Sequence, residues 1–145
     1  MANTYKNEQL LTKDEFFYLS CRFLVNNYLK QNNFEIENGF PRKAYPNIVC
    51  KKDGVTYGIV VIPSVFPNYE IMTDNFRIKT VEVCKKENAV ALFAPVGLKS
   101  NDEERASQQV ILKTDDFKVY FPGFIVLTND EKQNLEIKAS EFVRL

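Results

Sequence analysis

Histidine and tryptophan are absent from this 145-residue sequence, and cysteine is scarce. Without histidine there is no Ser–His or Cys–His pair to activate a nucleophile. The three cysteines, Cys21, Cys50 and Cys84, lie far apart and form no Cys-x-x-Cys pair. Such thiols seldom complete the tetrahedral shell of zinc when no imidazole is present. The sequence therefore predicts no metal and no cofactor, and three buried free thiols of the kind found in a reducing compartment.

Net charge and long apolar runs are missing as well. Nineteen basic residues balance nineteen acidic ones, so no overall field attracts phosphates, and nucleic acid is not favoured as a partner. A local basic patch could still contact phosphates if three basic pairs cluster in space. These pairs are Arg42–Lys43, Lys51–Lys52 and Lys85–Lys86. No run reaches the roughly eighteen apolar residues of a membrane span, and no apolar signal-peptide core is present. We expect a cytoplasmic protein, off the membrane, whose partner is another protein or a second copy of itself.

A well-marked helix start is the first structural signal that is present. In Thr12–Glu15 the threonine can cap the glutamate N–H while the glutamate reaches back to the threonine N–H, which makes a capping box. Apolar residues then recur at helical spacing, and Asn32–Asn33 is a typical helix end. We predict a helix over 13–31, followed by a short strand at Phe34–Glu37, where apolar and acidic residues alternate.

Asp53–Gly54, between two β-branched runs, predicts a hairpin with a type I′ turn. Ile59–Ile62 is apolar on both faces, which is typical of a central strand, and Pro63 and Pro67 are expected to end that strand. A two-residue loop also fixes the register of the two strands. This register pairs Lys52 with Val55, Cys50 with Tyr57, Ile48 with Ile59 and Asn47 with Val60.

A second helix is predicted from Thr73 or Asp74 to Glu87, with a polar cap at its start and lysines in its last turn. Its β-branched residues make a strand the competing prediction. Ala89–Ala94 then predicts a buried strand that Pro95 closes. Strand, helix and buried strand in succession indicate a crossover, which places the two strands parallel in one sheet.

The last third of the chain has weaker signals. Ser100–Glu103 and Thr128–Glu131 repeat the capping pattern, and 135–145 is expected to form a strand and a helical turn. Pro122–Gly123 favours a bend over a tight hairpin. Three runs are strand-like: Val110–Leu112, Phe117–Phe121 and Phe124–Leu127. We predict a single domain over 1–145, with a core over about 12–95 and a β-rich C-terminal extension over about 96–145.

The order helix, strand, strand, strand, helix, strand from Lys13 to Ala94 predicts an α/β fold with a mixed central sheet flanked by helices. This order resembles the core of the PD-(D/E)xK, or restriction-endonuclease-like, nuclease superfamily. The resemblance implies an Asp after a Pro on the second strand and an acid-x-Lys triplet on the third. The carboxylates of such a site hold a divalent metal, and the lysine helps to position and activate water.

In this chain Pro46–Asn47, Val60 and Ile62 occupy the corresponding positions. A hard divalent cation needs oxygen ligands, preferably anionic ones. One neutral amide and two aliphatic side chains do not supply them. The resemblance therefore implies a nuclease-like scaffold without a nuclease site, and no catalytic, cofactor-binding or metal-binding residue is expected at these positions.

We therefore expect a non-catalytic binding or interaction module, with two alternatives open. One is a metal-dependent nuclease whose acids have migrated to Glu35, Glu37, Glu70 or Glu82, although such acids are more commonly solvated surface residues. The other is a small inhibitor or immunity-type protein that binds another protein. Its aromatic face would be Phe117–Phe124, although core packing is the more common role of such a run.

Overall fold

The computed structural model describes residues 5–37, 44–68 and 72–128, in which a mixed sheet lies between helices. The helices are α1 (Lys13–Leu24), α2 (Asp74–Lys86) and α3 (Glu103–Ser107). The strands are β1 (Glu35–Ile36), β2 (Ile48–Lys52), β3 (Val55–Val65), β4 (Ala89–Ser100), β5 (Phe117–Tyr120) and β6 (Ile125–Val126). The α/β class, the predicted element order and the β-rich C-terminal region are confirmed.

The described strands form one sheet in the order β1-β2-β3-β4-β5, with β6 also on β4. β1, β2 and β3 are antiparallel neighbours, whereas β3 and β4 run parallel and are joined through α2, as the predicted crossover requires. β5 and β6 both pair antiparallel with the same edge of β4, at different positions along it. Because β5 pairs with Gly97–Ser100 and β6 with Leu92–Phe93, the chain leaves this edge between the two.

Helix α1 begins where the capping box predicts. Thr12 Oγ1 accepts from Glu15 N–H at 3.2 Å, and Glu15 Oε1 accepts from Thr12 N–H at 3.1 Å. The bond from Thr12 N–H stabilises the carboxylate and lowers the pKa of Glu15. The helix continues through a π-helical turn, Val25–Leu29, and a 3-10 turn, Lys30–Asn32, to Asn33 with φ of 67°. The predicted extent is confirmed, but only the first 12 residues are α-helical.

Apolar layers cover both faces of the sheet. α1 packs against alternate residues of β3 and β4, including Ile59 and Val61, whereas α2 packs against the opposite set, including Val60. Edge-to-face aromatic contacts, with ring centroids 5.0 to 5.5 Å apart, close the first layer between Tyr28, Phe121 and Phe124. Two members of the aromatic run considered as a docking face, Phe121 and Phe124, therefore pack in this layer, and Phe124 is fully buried.

Two prolines lie inside strands that they were expected to end. β3 continues through Pro63 to Val65, and β4 continues through Pro95 to Ser100. Val61 N–H points to the β2 side of β3. The backbone nitrogen of Pro63, two residues later, points to the same side, at a level where β2 has not yet begun. Pro95 lies in the gap between the parts of β4 that pair with β6 and β5. Proline is tolerated at such unpaired edges because no ladder hydrogen bond is lost.

Other predictions are confirmed or corrected in detail. The second helix is confirmed with Thr73 as its cap, so the competing strand prediction is wrong. A short helix follows β4, but Asp102 caps it, and Ser100 belongs to β4. Val110–Leu112 forms no strand among the described residues; Leu112 makes an isolated bridge with Leu10. The predicted helix start at Thr128–Glu131 and the strand and helical turn over 135–145 extend into or lie in residues 129–145, outside the described residues.

Gly58 on β3 is packed closely against Cys84 of α2 and against Pro46. A Cβ at this position would lie 2.7 Å from Cys84 Sγ and 2.9 Å from Pro46 Cγ. We expect Gly58→Ala to lower the free energy of unfolding by about 1–2 kcal/mol in urea denaturation, since a packed core resists added volume. If the clash is the cause, Cys84→Ala should cost less in the Gly58→Ala background than in the wild type. Equal costs in both backgrounds would contradict this explanation.

Candidate functional site

The central hairpin has the predicted turn and most of the predicted register. Asp53 and Gly54 have φ of 51° and 80°, which is the positive pair that a type I′ turn requires. The observed pairs include Ile48 with Ile59, Cys50 with Tyr57 and Lys52 with Val55. The hairpin therefore places the strand residues where the resemblance to nucleases can be examined side chain by side chain.

Asn47 does not continue this ladder opposite Val60, so that part of the predicted register is wrong. Its N–H donates to the Ile59 carbonyl at 2.9 Å, although Ile59 already pairs with Ile48. Asn47, in the bend just before β2, thus donates to a residue that already pairs with Ile48, an offset similar to that of a β-bulge. Asn47 Oδ1 accepts from Val61 N–H at 2.9 Å, and the residue is 1 % exposed. The Asn47 side chain therefore replaces a backbone carbonyl at the end of the ladder.

The other two positions of the expected site are apolar and packed. Val60 is fully buried in the layer beneath α2, and Ile62 packs against the same layer. Ile62 also borders a cleft of about 430 Å³ whose walls include Tyr45 and Phe76. At these three positions a hard cation would meet one amide oxygen, already bonded to an N–H group, and two aliphatic side chains. The cleft beside Ile62 is also lined by Lys13 and by one carboxylate, that of Asp14.

The structure does not gather the described acids of the migrated-site alternative into a metal site. Glu35 and Glu37 are exposed at edge strand β1, Glu82 is exposed on α2, and Glu70 lies outside the described residues. Glu37 Oε1 is 3.8 Å from Lys51 Nζ, an exposed pair that contributes little stability. Within 5–37, 44–68 and 72–128, no group of three or more Cys, Asp or Glu side chains is placed to hold a metal ion.

The three thiols are buried, as predicted, and none of them is in a disulfide. Burial raises the pKa of Cys21 to about 12. Burial, helped by the negative charge of Glu37, also raises the pKa of Cys50 to about 12. Because the thiolate is the nucleophilic form, these two cysteines are poorly suited to nucleophilic chemistry at neutral pH.

A second cleft, of about 540 Å³, lies at the carboxyl ends of the parallel strands β3 and β4. We call it the terminal cleft. Phe66 continues the line of β3 by donating its N–H to the Leu98 carbonyl at 2.9 Å. The Phe66 ring stacks on Tyr120, with centroids 4.2 Å apart and an interplanar angle of 23°. The ten residues that line the cleft include this aromatic pair, Lys99, Lys118 and Glu103.

Two lysines lie side by side in the terminal cleft. Lys99 on β4 pairs directly with Lys118 on β5, which puts both side chains on one face with Cβ atoms roughly 5 Å apart. Lys99 Nζ lies 5.5 Å from the centroid of Phe66. Neither lysine forms a salt bridge with a residue that the structure describes. Like charges directly opposite each other destabilise a strand pair, so this arrangement favours an anion in the cleft.

A hydrogen-bond network fixes one wall of the terminal cleft. The Asp115 side chain is 3 % exposed and accepts from Ser100 Oγ and from Leu112 N–H, both at 2.9 Å. It also accepts from two N–H groups of the Arg105 guanidinium. These Arg105 hydrogen bonds hold the pKa of Asp115 below its usual value. Because Arg105 lies on α3 and Ser100 on β4, the network anchors α3 to the end of the sheet.

The terminal cleft is not predictable from a local motif. Its residues come from the end of β3, the end of β4, α3 and β5, which are far apart in the sequence. If Pro95 closed β4, Lys99 would lie outside the sheet. The pairing of Lys99 with Lys118 therefore does not follow from the sequence prediction. The one sequence signal for it is the alternating run Phe117–Tyr120. A strand with this pattern places Lys118 opposite a residue of the neighbouring strand.

The comparisons with known proteins identify a family without an assigned function. The model of the family described as Domain of unknown function (DUF8840) matches residues 3–127. No curated protein and no solved structure matches the chain. Among the described residues, no helix combines the length and apolar character needed to cross a membrane.

Proposed function

The chain belongs to the DUF8840 family, and we propose that it is a cytoplasmic, non-catalytic binding module on a nuclease-like scaffold. The observation that carries the proposal is the hydrogen bond from Val61 N–H to Asn47 Oδ1. Asn47 is the only polar residue at the three positions where the resembling nucleases carry their site. Its side-chain oxygen already accepts a hydrogen bond that belongs to the fold. Val60 and Ile62, the other two, contribute packing and no metal ligand.

The nuclease-like scaffold is supported by the order and direction of the elements. α1 precedes an antiparallel set, β1, β2 and β3, and α2 then leads to β4, which is parallel to β3. The cytoplasmic location is supported by the three buried thiols, none of which is in a disulfide, as is typical of a reducing compartment.

A binding role is supported by the terminal cleft. Its volume of about 540 Å³ lies in the range of small-molecule sites, and its lining combines an aromatic pair with charged side chains of both signs. It also lies outside the carboxyl ends of parallel strands, where ligands of open α/β sheets commonly bind. The alternative of a nuclease with migrated acids has weaker support, because Glu35, Glu37 and Glu82 are exposed and belong to no metal-binding group among the described residues.

We predict that the full chain does not cleave nucleic acid when Mg²⁺ or Mn²⁺ is supplied. The physical reason is that the hairpin offers a cation one occupied amide oxygen and two aliphatic side chains. Incubation with end-labelled single- and double-stranded DNA and RNA, followed by denaturing electrophoresis, measures this directly. The expected result is intact substrate at every metal concentration.

Two variants make this test specific. Glu70→Ala and Glu82→Ala remove acids that a migrated site would use. Cleavage by the wild type that requires the metal and disappears in either variant would contradict the non-catalytic assignment. It would establish the migrated-acid nuclease in its place.

A further inference from the structure

We infer that the terminal cleft binds a small anion that carries a flat aromatic ring, namely a nucleoside phosphate. This inference rests on the proposed binding role and names the ligand class for it. The observations that carry it are two neighbouring lysines that form no salt bridge with a described residue, the stacked rings beside them and the size of the cleft.

The geometry of the sheet places the binding groups in two neighbouring rows on one face. Lys99 and Lys118 are direct cross-strand partners, and Phe66 lies beside Lys99 at the end of β3. The adjacent row contains Gly97, which pairs with Tyr120. Since Gly97 brings no side chain to this face, the Phe66 and Tyr120 rings can meet across it at 4.2 Å. The face therefore presents a stacked aromatic pair with the Lys99 ammonium over the Phe66 ring and Lys118 directly across from Lys99.

The charges in the terminal cleft select a ligand with a limited number of negative groups. A phosphate between Lys99 and Lys118 would relieve their mutual repulsion and accept charge-assisted hydrogen bonds from both. Glu103, on the α3 wall, has an exposed carboxylate that repels additional phosphates. The same carboxylate is an acceptor for the hydroxyl groups of a sugar. Two cations, one carboxylate and an aromatic surface thus match the parts of a nucleoside monophosphate.

A free nucleotide fits the observations better than a nucleic-acid strand. A strand needs a positively charged groove along its backbone, and binding grows with the number of phosphates that are neutralised. The chain has no net positive charge, and two lysines line this cleft among the described residues. A cleft of about 540 Å³ is suited to one small molecule.

The test is calorimetric titration of the full chain with AMP and UMP, and with ligands that lack one part. Adenosine lacks the phosphate, and ribose 5-phosphate and inorganic phosphate lack the ring. We expect a mononucleotide to bind at least about tenfold tighter than each of these, because the charge-assisted and stacking contacts are each worth a tenfold change or more. Lys99→Gln with Lys118→Gln should weaken the mononucleotide at least about tenfold, and Phe66→Leu by a similar factor.

The control is Lys79→Gln with Lys86→Gln, which removes the same charge from the exposed surface of α2. It should leave the affinity unchanged. Thermal unfolding of the Lys99→Gln, Lys118→Gln variant should show no loss of stability, since the change removes a like-charge pair. Equal weakening by both double variants would overturn the assignment of the cleft, and no mononucleotide binding by the wild type would overturn the inference. If the affinity for single-stranded oligonucleotides rises with their length, the ligand is a nucleic-acid strand, and the inference of a free nucleotide is overturned. The cleavage assay decides the non-catalytic role independently of these results.

Discussion

Replacing Asp115 by alanine is expected to lower the free energy of unfolding by about 3 kcal/mol, the lower end of the range for breaking a buried ion pair. The Asp115 side chain is 3 % exposed and accepts hydrogen bonds from three residues, Ser100, Arg105 and Leu112. Its loss leaves the Arg105 guanidinium without this partner. Because the Arg105 side chain is 24 % exposed, water compensates part of the loss. Urea denaturation at neutral pH measures the change.

Asp116 provides the matched control for this variant. It is the next residue in the chain and is exposed, so Asp116→Ala should change stability by less than about 0.5 kcal/mol. If Asp115→Ala and Asp116→Ala destabilise the protein equally, the hydrogen-bond network is not what anchors α3.

The effect of Asp115 should also depend on pH. The pKa of this carboxyl is lowered in the folded protein, chiefly by the hydrogen bonds from Arg105. Its stabilising contribution is therefore complete above the unfolded pKa, about 3.9 for aspartate, and is lost as the pH falls through the lower folded pKa. We expect the stability difference between the wild type and Asp115→Ala to stay constant from about pH 7 to pH 5 and to shrink below about pH 4. A difference that grows on acidification would contradict this sign.

Replacing Asn47 by alanine is expected to lower the free energy of unfolding by about 2–3 kcal/mol, the upper part of the range for a buried donor left without its acceptor. The donor is Val61 N–H, which bonds to Asn47 Oδ1 at 2.9 Å, and Asn47 is 1 % exposed. The backbone bond from Asn47 N–H to Ile59 does not depend on the side chain and should persist. Thermal and urea denaturation measure the effect.

Asn26 is a suitable control for Asn47, because it is an exposed asparagine in the helical segment after α1. Asn26→Ala should be neutral or slightly stabilising, since alanine has the higher helix propensity. Native-state hydrogen exchange adds a local measurement: Val61 N–H should exchange faster in Asn47→Ala than in the wild type. An unchanged exchange rate would show that Asn47 Oδ1 is not its acceptor.

The parts of the fold that the sequence predicts are those encoded by adjacent residues. Thr12 and Glu15 mark the start of α1, and Asp53–Gly54 sets both the turn and the register next to it. The strand, helix and buried strand around α2 fix a parallel crossover, because the handedness and direction of such connections are restricted. These signals act within a few residues and need no knowledge of distant partners.

The features that the sequence does not predict depend on what lies beside a strand. Whether Pro63 or Pro95 ends a strand depends on which edges are paired, and that is decided by β2, β5 and β6. The offset at Asn47 likewise depends on the side-chain amide of this residue, which takes the place of a backbone acceptor for Val61 N–H. The terminal cleft follows from both effects, because β4 must pass Pro95 before Lys99 can pair with Lys118.

The hairpin of β2 and β3 is central to the account, because its chemistry distinguishes a binding module from a metal-dependent nuclease. Titration of the ¹⁵N-labelled chain with Mn²⁺ tests it directly, since a bound paramagnetic ion broadens the amide resonances nearest to it. We predict that the resonances of Asn47, Val60, Val61 and Ile62 keep the same relative intensity as those of other buried strand residues. Selective loss of these resonances at substoichiometric Mn²⁺ would place a metal at the hairpin and contradict the account.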